Sequence, residues 1–224
     1  MVKGVYEPER FLEIFRDYIY FQDKEFDDKE KEIVCRYPQF FATRLLRESI
    51  VKSVKEKSGK GGTYFGATGC GKSFTMLFLC RLLMRSKALC SPTILLITDR
   101  NDLDDQLSRQ VLNAKHFIGD DMVVQVESRE HLKQLLQGRS SGGVFLTTIQ
   151  KFSKDIDLLS KRANIICISD EAHRTQTQMD EKVQITEEGV KRSYGFAKYL
   201  HDSLPNATYV GFTGTPIDAT LEVF

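Results

Sequence analysis

Between Gly66 and Ser73 the chain reads Gly66-Ala67-Thr68-Gly69-Cys70-Gly71-Lys72-Ser73, a G-x-x-x-x-G-K-S string. Glycines at those two places let backbone N–H groups wrap a phosphate, Lys72 brings a point charge to the outer phosphates, and Ser73 offers a hydroxyl to Mg2+. Much later comes Asp170-Glu171-Ala172-His173. Asp170 is suited to hold the metal ion, and Glu171, pointing differently, to orient or deprotonate an attacking water. His173 joins Lys72 and Glu171 as a candidate catalytic side chain. An acidic pair after a strand is by itself more often a helix cap than a site, and the phosphate loop reverses that weighting. Together the two strings carry the chemistry of Mg-ATP binding and hydrolysis.

These groups work only if the backbone presents them. Thr63-Tyr64-Phe65 before the loop is a β-branched and aromatic run that predicts a strand, and Phe74 to Met84 after it predicts a buried helix. Strand, loop and helix in that order aim a helix N-terminus at an anion. Ile165 to Ser169 is an apolar run suited to a strand covered on both faces, which puts Asp170 at its carboxyl end, where open α/β sheets bind ligands. Further strands are expected at Thr93–Thr98, Met122–Val126, Gly143–Thr148 and Ala207–Phe212, alternating with helices as βαβ units around a parallel sheet. Residues 61–224 are therefore expected to form one nucleotide-binding lobe.

Residues 1–60 are expected to be a helical segment preceding it. Phe11, Leu12, Phe15, Tyr18 and Ile19 mark one helix face entered at Pro8, and the charged run Asp23 to Glu32 reads as a solvated loop. A second helix is predicted from near Pro38 to about Lys57, with Ser58 to Gly62 as a flexible joint. The polar stretch Arg174 to Ser193 is expected to be a mobile insertion.

Composition sets the outer limits. The 224 residues, 41% hydrophobic, bury one sizeable core. A net charge of +1 supplies no global field for nucleic acid, although a local stripe suffices for DNA. Five scattered cysteines fit reduced thiols better than disulfides or a zinc site. Cys70, at a helix N-terminus beside Lys72, is expected to be the most reactive of them. No run is long and apolar enough for a membrane span or a leader peptide, so a cytoplasmic protein with no membrane partner is expected.

Four strings at strand ends resemble, in order and wording, the first-lobe motifs of superfamily 2 helicases and translocases, above all the motor subunit of type I restriction enzymes. They are Thr98 to Leu107, Thr147-Thr148-Ile149-Gln150-Lys151-Phe152, Asp170-Glu171-Ala172-His173-Arg174 and Gly211-Phe212-Thr213-Gly214-Thr215-Pro216. Arg36-Tyr37-Pro38-Gln39 looks like the adenine-reading glutamine motif of such motors, which nominates Gln39. Two departures, Gly66-Ala67 and Cys70 where relatives carry other residues, leave the loop pattern intact.

The resemblance implies a RecA-like lobe with ATP and Mg2+ as cofactors and double-stranded DNA as partner. Carried over by position, Gly66 through Ser73 bind nucleotide, and Ser73 and Asp170 hold the metal. Arg100, Thr147, Thr148 and Gln150 face the DNA backbone, and Thr213 and Thr215 link nucleotide state to DNA. The threonines are also ordinary β-branched strand ends. The family's motors close the ATP site with arginines of a second lobe, so the chain is expected to be part of a larger protein, near-inactive alone. A second lobe, a nuclease domain, and methyltransferase and specificity subunits are its implied partners. A related helicase or type III restriction motor, or a nucleotide-binding module that never turns over, are the alternatives.

Overall fold

The computed structural model describes residues 4, 6–22, 31–67, 69–98, 101–152, 158–172, 182–186, 189–193, 196–215 and 224, with the backbone alone for 101–106, 182–186, 189–193 and 196. Six parallel strands make the central sheet: β3 (Lys60–Phe65), β4 (Thr93–Thr98), β5 (Val123–Gln125), β6 (Val144–Thr148), β7 (Ile165–Ser169) and β10 (Thr208–Thr213). Their spatial order is β3-β10-β7-β4-β6-β5. All six strands predicted from the sequence are present, and β3 begins within the stretch expected to be a joint.

The apolar runs are continuous because both faces of the sheet are covered. On β4, Ile94 and Leu96 enter one core with Met76, Phe78 and Val210, whereas Leu95 and Ile97 enter a second with Phe145, Cys167 and Tyr209. The same alternation on every inner strand leaves no solvated face, so a polar residue has no cheap position there. Helices α2 (Tyr37–Glu56), α3 (Lys72–Met84), α4 (Asn101–Asn113) and α5 (Lys115–Ile118) contribute to the first core. Helices α6 (Arg129–Leu136) and α7 (Phe196–Ser203) contribute to the second. Helix α3 is apolar all round, with Met76 through Cys80, Leu82 and Leu83 buried, as befits a helix enclosed by neighbours.

The N-terminal part differs from the expectation of helices alone. Helix α1 (Pro8–Asp17) is followed by an antiparallel hairpin, β1 (Ile19–Gln22) with β2 (Lys31–Val34). Tyr18 and Ile19 therefore leave the helix face assigned to them. Tyr18 turns inward at the helix end, where its ring packs on Phe40 and Phe78 and its hydroxyl lies 2.8 Å from Thr43 Oγ1. The run Ile19-Tyr20-Phe21 that follows has the β-branched and aromatic character of a strand. Lys31 and Glu32, read as loop, pair with Gln22 and Phe21; residues 23–30 lie outside the described residues.

Asp17 ties this part to α3. Its buried carboxylate takes Arg16 Nε at 2.8 Å, Arg81 Nε at 3.3 Å and Arg85 Nε at 3.1 Å. Arg81 also donates to the carbonyls of Arg16 and Phe117. Within the expected mobile insertion, β8 (Lys182–Thr186) and β9 (Gly189–Ser193) form an antiparallel hairpin, and residues 173–181 and 187–188 lie outside the described residues.

Candidate nucleotide site

Parallel strands put every carboxyl end on one side, so the chemistry-bearing strings meet there although they are far apart in sequence. The phosphate loop leaves β3, Asp170 follows β7, and β10 lies between the two. The loop is pinned at its start, where the Gly66 N–H donates to Thr213 O at 3.0 Å. A Cβ on Gly66 would stand 2.7 Å from both Cys70 Sγ and Tyr64 Cε1, so any side chain there would have to push the thiol and the ring aside. Gly71 caps α3 at φ 90°, and its carbonyl accepts from the Thr75 N–H at 3.0 Å and Thr75 Oγ1 at 3.1 Å. That left-handed turn aims the N-terminus of α3 into the loop.

Lys72 bridges the two strings. Its Nζ lies 3.4 Å from Gly66 O and 3.4 Å from Glu171 Oε1, with both side chains largely shielded from solvent. Glu171 reaches this position from a left-handed backbone, φ 47°, costly for a residue with a Cβ and of the kind that gathers at functional sites. Asp170 is held by its N–H to Ile97 O at 2.8 Å, and its Oδ1 accepts the Glu171 N–H at 3.0 Å. Burial, then repulsion from Glu171, raises the Asp170 carboxyl above the usual range, against the pull of the Glu171 N–H and Lys72. Such a carboxylate gains most from a cation. Half-buried Ser73 on the first turn of α3 supplies a hydroxyl, and together they are the hard oxygen donors Mg2+ prefers.

Gln39 sits at this site through contacts with the loop. It is 4% exposed; its Oε1 accepts the Arg36 N–H at 2.7 Å and its Nε2 donates to Gly71 O at 3.1 Å. Both ends of the amide are thus occupied in this structure. Ala67 is exposed, Gly69 is left-handed with open space around it, and Cys70 is half-buried with its Sγ 3.9 Å from the Tyr64 hydroxyl. Thr147 and Thr148 are buried in β6, and Thr147 Oγ1 has no hydrogen-bond partner among the described residues. Gln150 is exposed on the turn that follows. Thr213 is buried with its Oγ1 accepting the N–H of exposed Thr215 at 3.1 Å. Thr68, Arg100 and His173 lie outside the described residues. Tyr64 and Thr75 were not singled out from the sequence. A threonine four residues after the cap glycine is a readable signal for a hydroxyl bonding back along a helix, whereas nothing marks Tyr64.

The described residues contain no helix long and apolar enough to cross a membrane. The chain is 38% identical over 223 residues to the type I restriction enzyme HindI endonuclease subunit of Haemophilus influenzae, covering 97% of this chain and 21% of that protein. To the putative MjaIXP endonuclease subunit of Methanocaldococcus jannaschii it is 32% identical over 228 residues, 97% of this chain and 19% of the relative. It thus spans about a fifth of the length of these relatives. It is also 30% identical over 156 residues to the C-terminal part of the putative MpnIIP endonuclease subunit of Mycoplasma pneumoniae, 64% of this chain and 73% of that one.

Among solved structures, the Sulfolobus solfataricus SWI2/SNF2 ATPase core in complex with dsDNA superposes with a TM-score of 0.54 at 14% identity over 84% of this chain and 35% of that one. T4 UvsW does so with a TM-score of 0.52 at 15% identity over 92% and 34%. These two share the RecA-like fold. The model of the SWI2/SNF2 ATPase matches residues 38–223, from the start of α2 past the last strand of the sheet, and the chain belongs to that family.

Proposed function

We propose that this chain is the ATP-binding first lobe of a DNA-translocating motor within a type I restriction endonuclease. The observation that carries the reading is Lys72, placed between the phosphate loop and Glu171 by the parallel sheet. Gly66 through Ser73 cradle the phosphates with backbone N–H groups and the end of α3. Ser73 and Asp170 would hold Mg2+, which when bound offsets phosphate charge and relieves the penalised carboxylate of Asp170. Lys72 moves from Glu171 to the outer phosphates, and Glu171, so released, orients and accepts a proton from the attacking water. Gln39, bonded to the Arg36 N–H and to Gly71 O of the phosphate loop, is the residue that reads adenine. Exposed Gln150, on the same side of the sheet as the loop, faces double-stranded DNA, and Thr213 with Thr215, joined by a hydrogen bond, links nucleotide state to DNA.

The chain is read as part of a longer polypeptide with a second RecA-like lobe and a nuclease domain, acting with methyltransferase and specificity subunits. Calorimetry of Mg-ATP and Mg-ADP tests the core of this: Lys72→Ala should weaken affinity by at least about tenfold, the loss of one charge-assisted contact, and equal affinities overturn it. In the full-length protein Glu171→Gln should abolish DNA-stimulated phosphate release and leave binding intact. The 224-residue chain should hydrolyse ATP near background with or without duplex DNA, because arginines from a second lobe contribute on the order of 10³ to 10⁵ in rate.

A further inference from the structure

We infer that Tyr64 is a positioning residue of the nucleotide site: from near the end of β3 its hydroxyl reaches Cys70 Sγ and holds the middle of the phosphate loop in the shape that receives phosphate. The inference rests on the proposed function and adds to it a side chain outside the loop, one that the G-x-x-x-x-G-K-S pattern does not mark.

A phosphate loop binds through backbone N–H groups, so its shape before the nucleotide arrives sets how much ordering binding must supply. Both ends of this loop are fixed through the backbone. The Gly66 N–H donates to Thr213 O, and left-handed Gly71 enters α3 with its carbonyl held by Thr75 and Gln39. The middle has less support. Ala67 is exposed, Gly69 has open space around it, and the Cys70 N–H closes only a local turn on Ala67 O at 3.1 Å. Among the described residues between Gly66 and Gly71, Cys70 makes the one side-chain hydrogen bond to the rest of the lobe, at 3.9 Å to the Tyr64 hydroxyl.

Tyr64 is the fixed member of this pair. It stands opposite Phe212 in the parallel pairing of β3 with β10, and the two ring centroids are 5.0 Å apart. Phe212 is fully buried and the next residue, Thr213, accepts the Gly66 N–H, so one stretch of β10 locates both the start of the loop and the ring beside it. The ring lies against Gly66, where a Cβ would stand 2.7 Å from Tyr64 Cε1, and the hydroxyl also neighbours Thr75 in the first turn of α3. A phenylalanine would pack on Phe212 and Gly66 equally well. The hydroxyl is therefore the part of Tyr64 that acts on the loop.

Tyr64→Phe keeps the ring and removes the contact, and Cys70→Ala removes it from the other side. Calorimetry on the 224-residue chain should show Tyr64→Phe weakening Mg-ADP about threefold, the lower range for one hydrogen bond, with Cys70→Ala close to it. Adding Cys70→Ala to Tyr64→Phe should weaken binding no further, because both remove the same contact. In the full-length protein with duplex DNA, Tyr64→Phe should raise KM for ATP by a similar factor and leave kcat unchanged, which is the sign of lost binding and not of a lost transition-state contact. Wild-type affinity in Tyr64→Phe overturns the role of Tyr64, as does a double variant about ninefold weaker, in which the two side chains act independently. A lowered urea midpoint with unchanged affinity also overturns it, since Tyr64 would then serve packing alone. Lys72→Ala in the same series separates this role from the proposed function. If Lys72→Ala loses binding and Tyr64→Phe does not, only the role of Tyr64 fails; if Lys72→Ala binds like the wild type, it is the proposed function that fails.

Discussion

Gly71→Ala tests whether the phosphate loop is held from outside by Gln39. The residue has φ 90° and ψ 35°, and a methyl there would stand 2.8 Å from Gln39 Nε2. The left-handed backbone costs an L-residue about 1–2 kcal/mol. Displacing Gln39 breaks its bonds to Gly71 O and to the Arg36 N–H, each contributing about 1 kcal/mol. The expected loss of stability is therefore roughly 3–4 kcal/mol, read as the shift of the urea unfolding midpoint at constant slope. In a Gln39→Ala background the methyl has room, so the same substitution should cost only the backbone part, about 1–2 kcal/mol. The double-mutant cycle should return a coupling of about 2 kcal/mol. Mg-ADP affinity should fall in Gly71→Ala and recover in part in the double variant. Strict additivity, or a single-variant cost below about 1 kcal/mol, would refute the claim that Gln39 seats against Gly71.

Three further outcomes follow from charges and thiols. Asp17→Asn leaves the guanidinium of Arg81, whose side chain is 14% exposed, without its carboxylate, and should cost about 3–5 kcal/mol by urea unfolding; Asp17→Leu with Arg81→Met should recover most of it, and a single-variant loss under about 1 kcal/mol contradicts the clasp. His201 stacks on Tyr209 at 3.7 Å between ring centroids, and burial pushes its pKa down to about 4. The unfolded chain takes up this proton near its ordinary pKa and the folded chain does not, so stability present above about pH 6.5 is lost as pH falls toward 4, by about 2–3 kcal/mol. His201→Phe should flatten that part of the stability–pH curve, and an unchanged slope counts against the assignment. Burial pushes the thiols of Cys35 and Cys80 up to about 12, so iodoacetamide should label exposed Cys90 and half-buried Cys70 first; Mg-ATP should protect Cys70 and spare Cys90, and equal labelling of Cys70 with and without nucleotide argues against a loop-bound phosphate.

The parts of this molecule that could be read from the chain are those where function and folding ask for the same residues locally. The phosphate loop needs its glycines, lysine and serine within one turn, and the inner strands need unbroken apolar runs because the sheet is covered twice, so both announce themselves in consecutive residues. Tertiary arrangement decides what stayed hidden. Nothing around Glu171 shows that its backbone is left-handed or that its carboxylate meets Lys72, a residue almost a hundred positions away. Helix α1 shows the opposite failure. Its apolar side chains have helical spacing, which ordinarily predicts burial, yet Phe11, Leu12 and Phe15 face outward while Asp17, a carboxylate, is the residue that goes inside. Periodicity reports that a face is sticky and is silent on what it sticks to. Asp17 could be buried only because Arg16, Arg81 and Arg85 converge on it from two helices far apart in sequence.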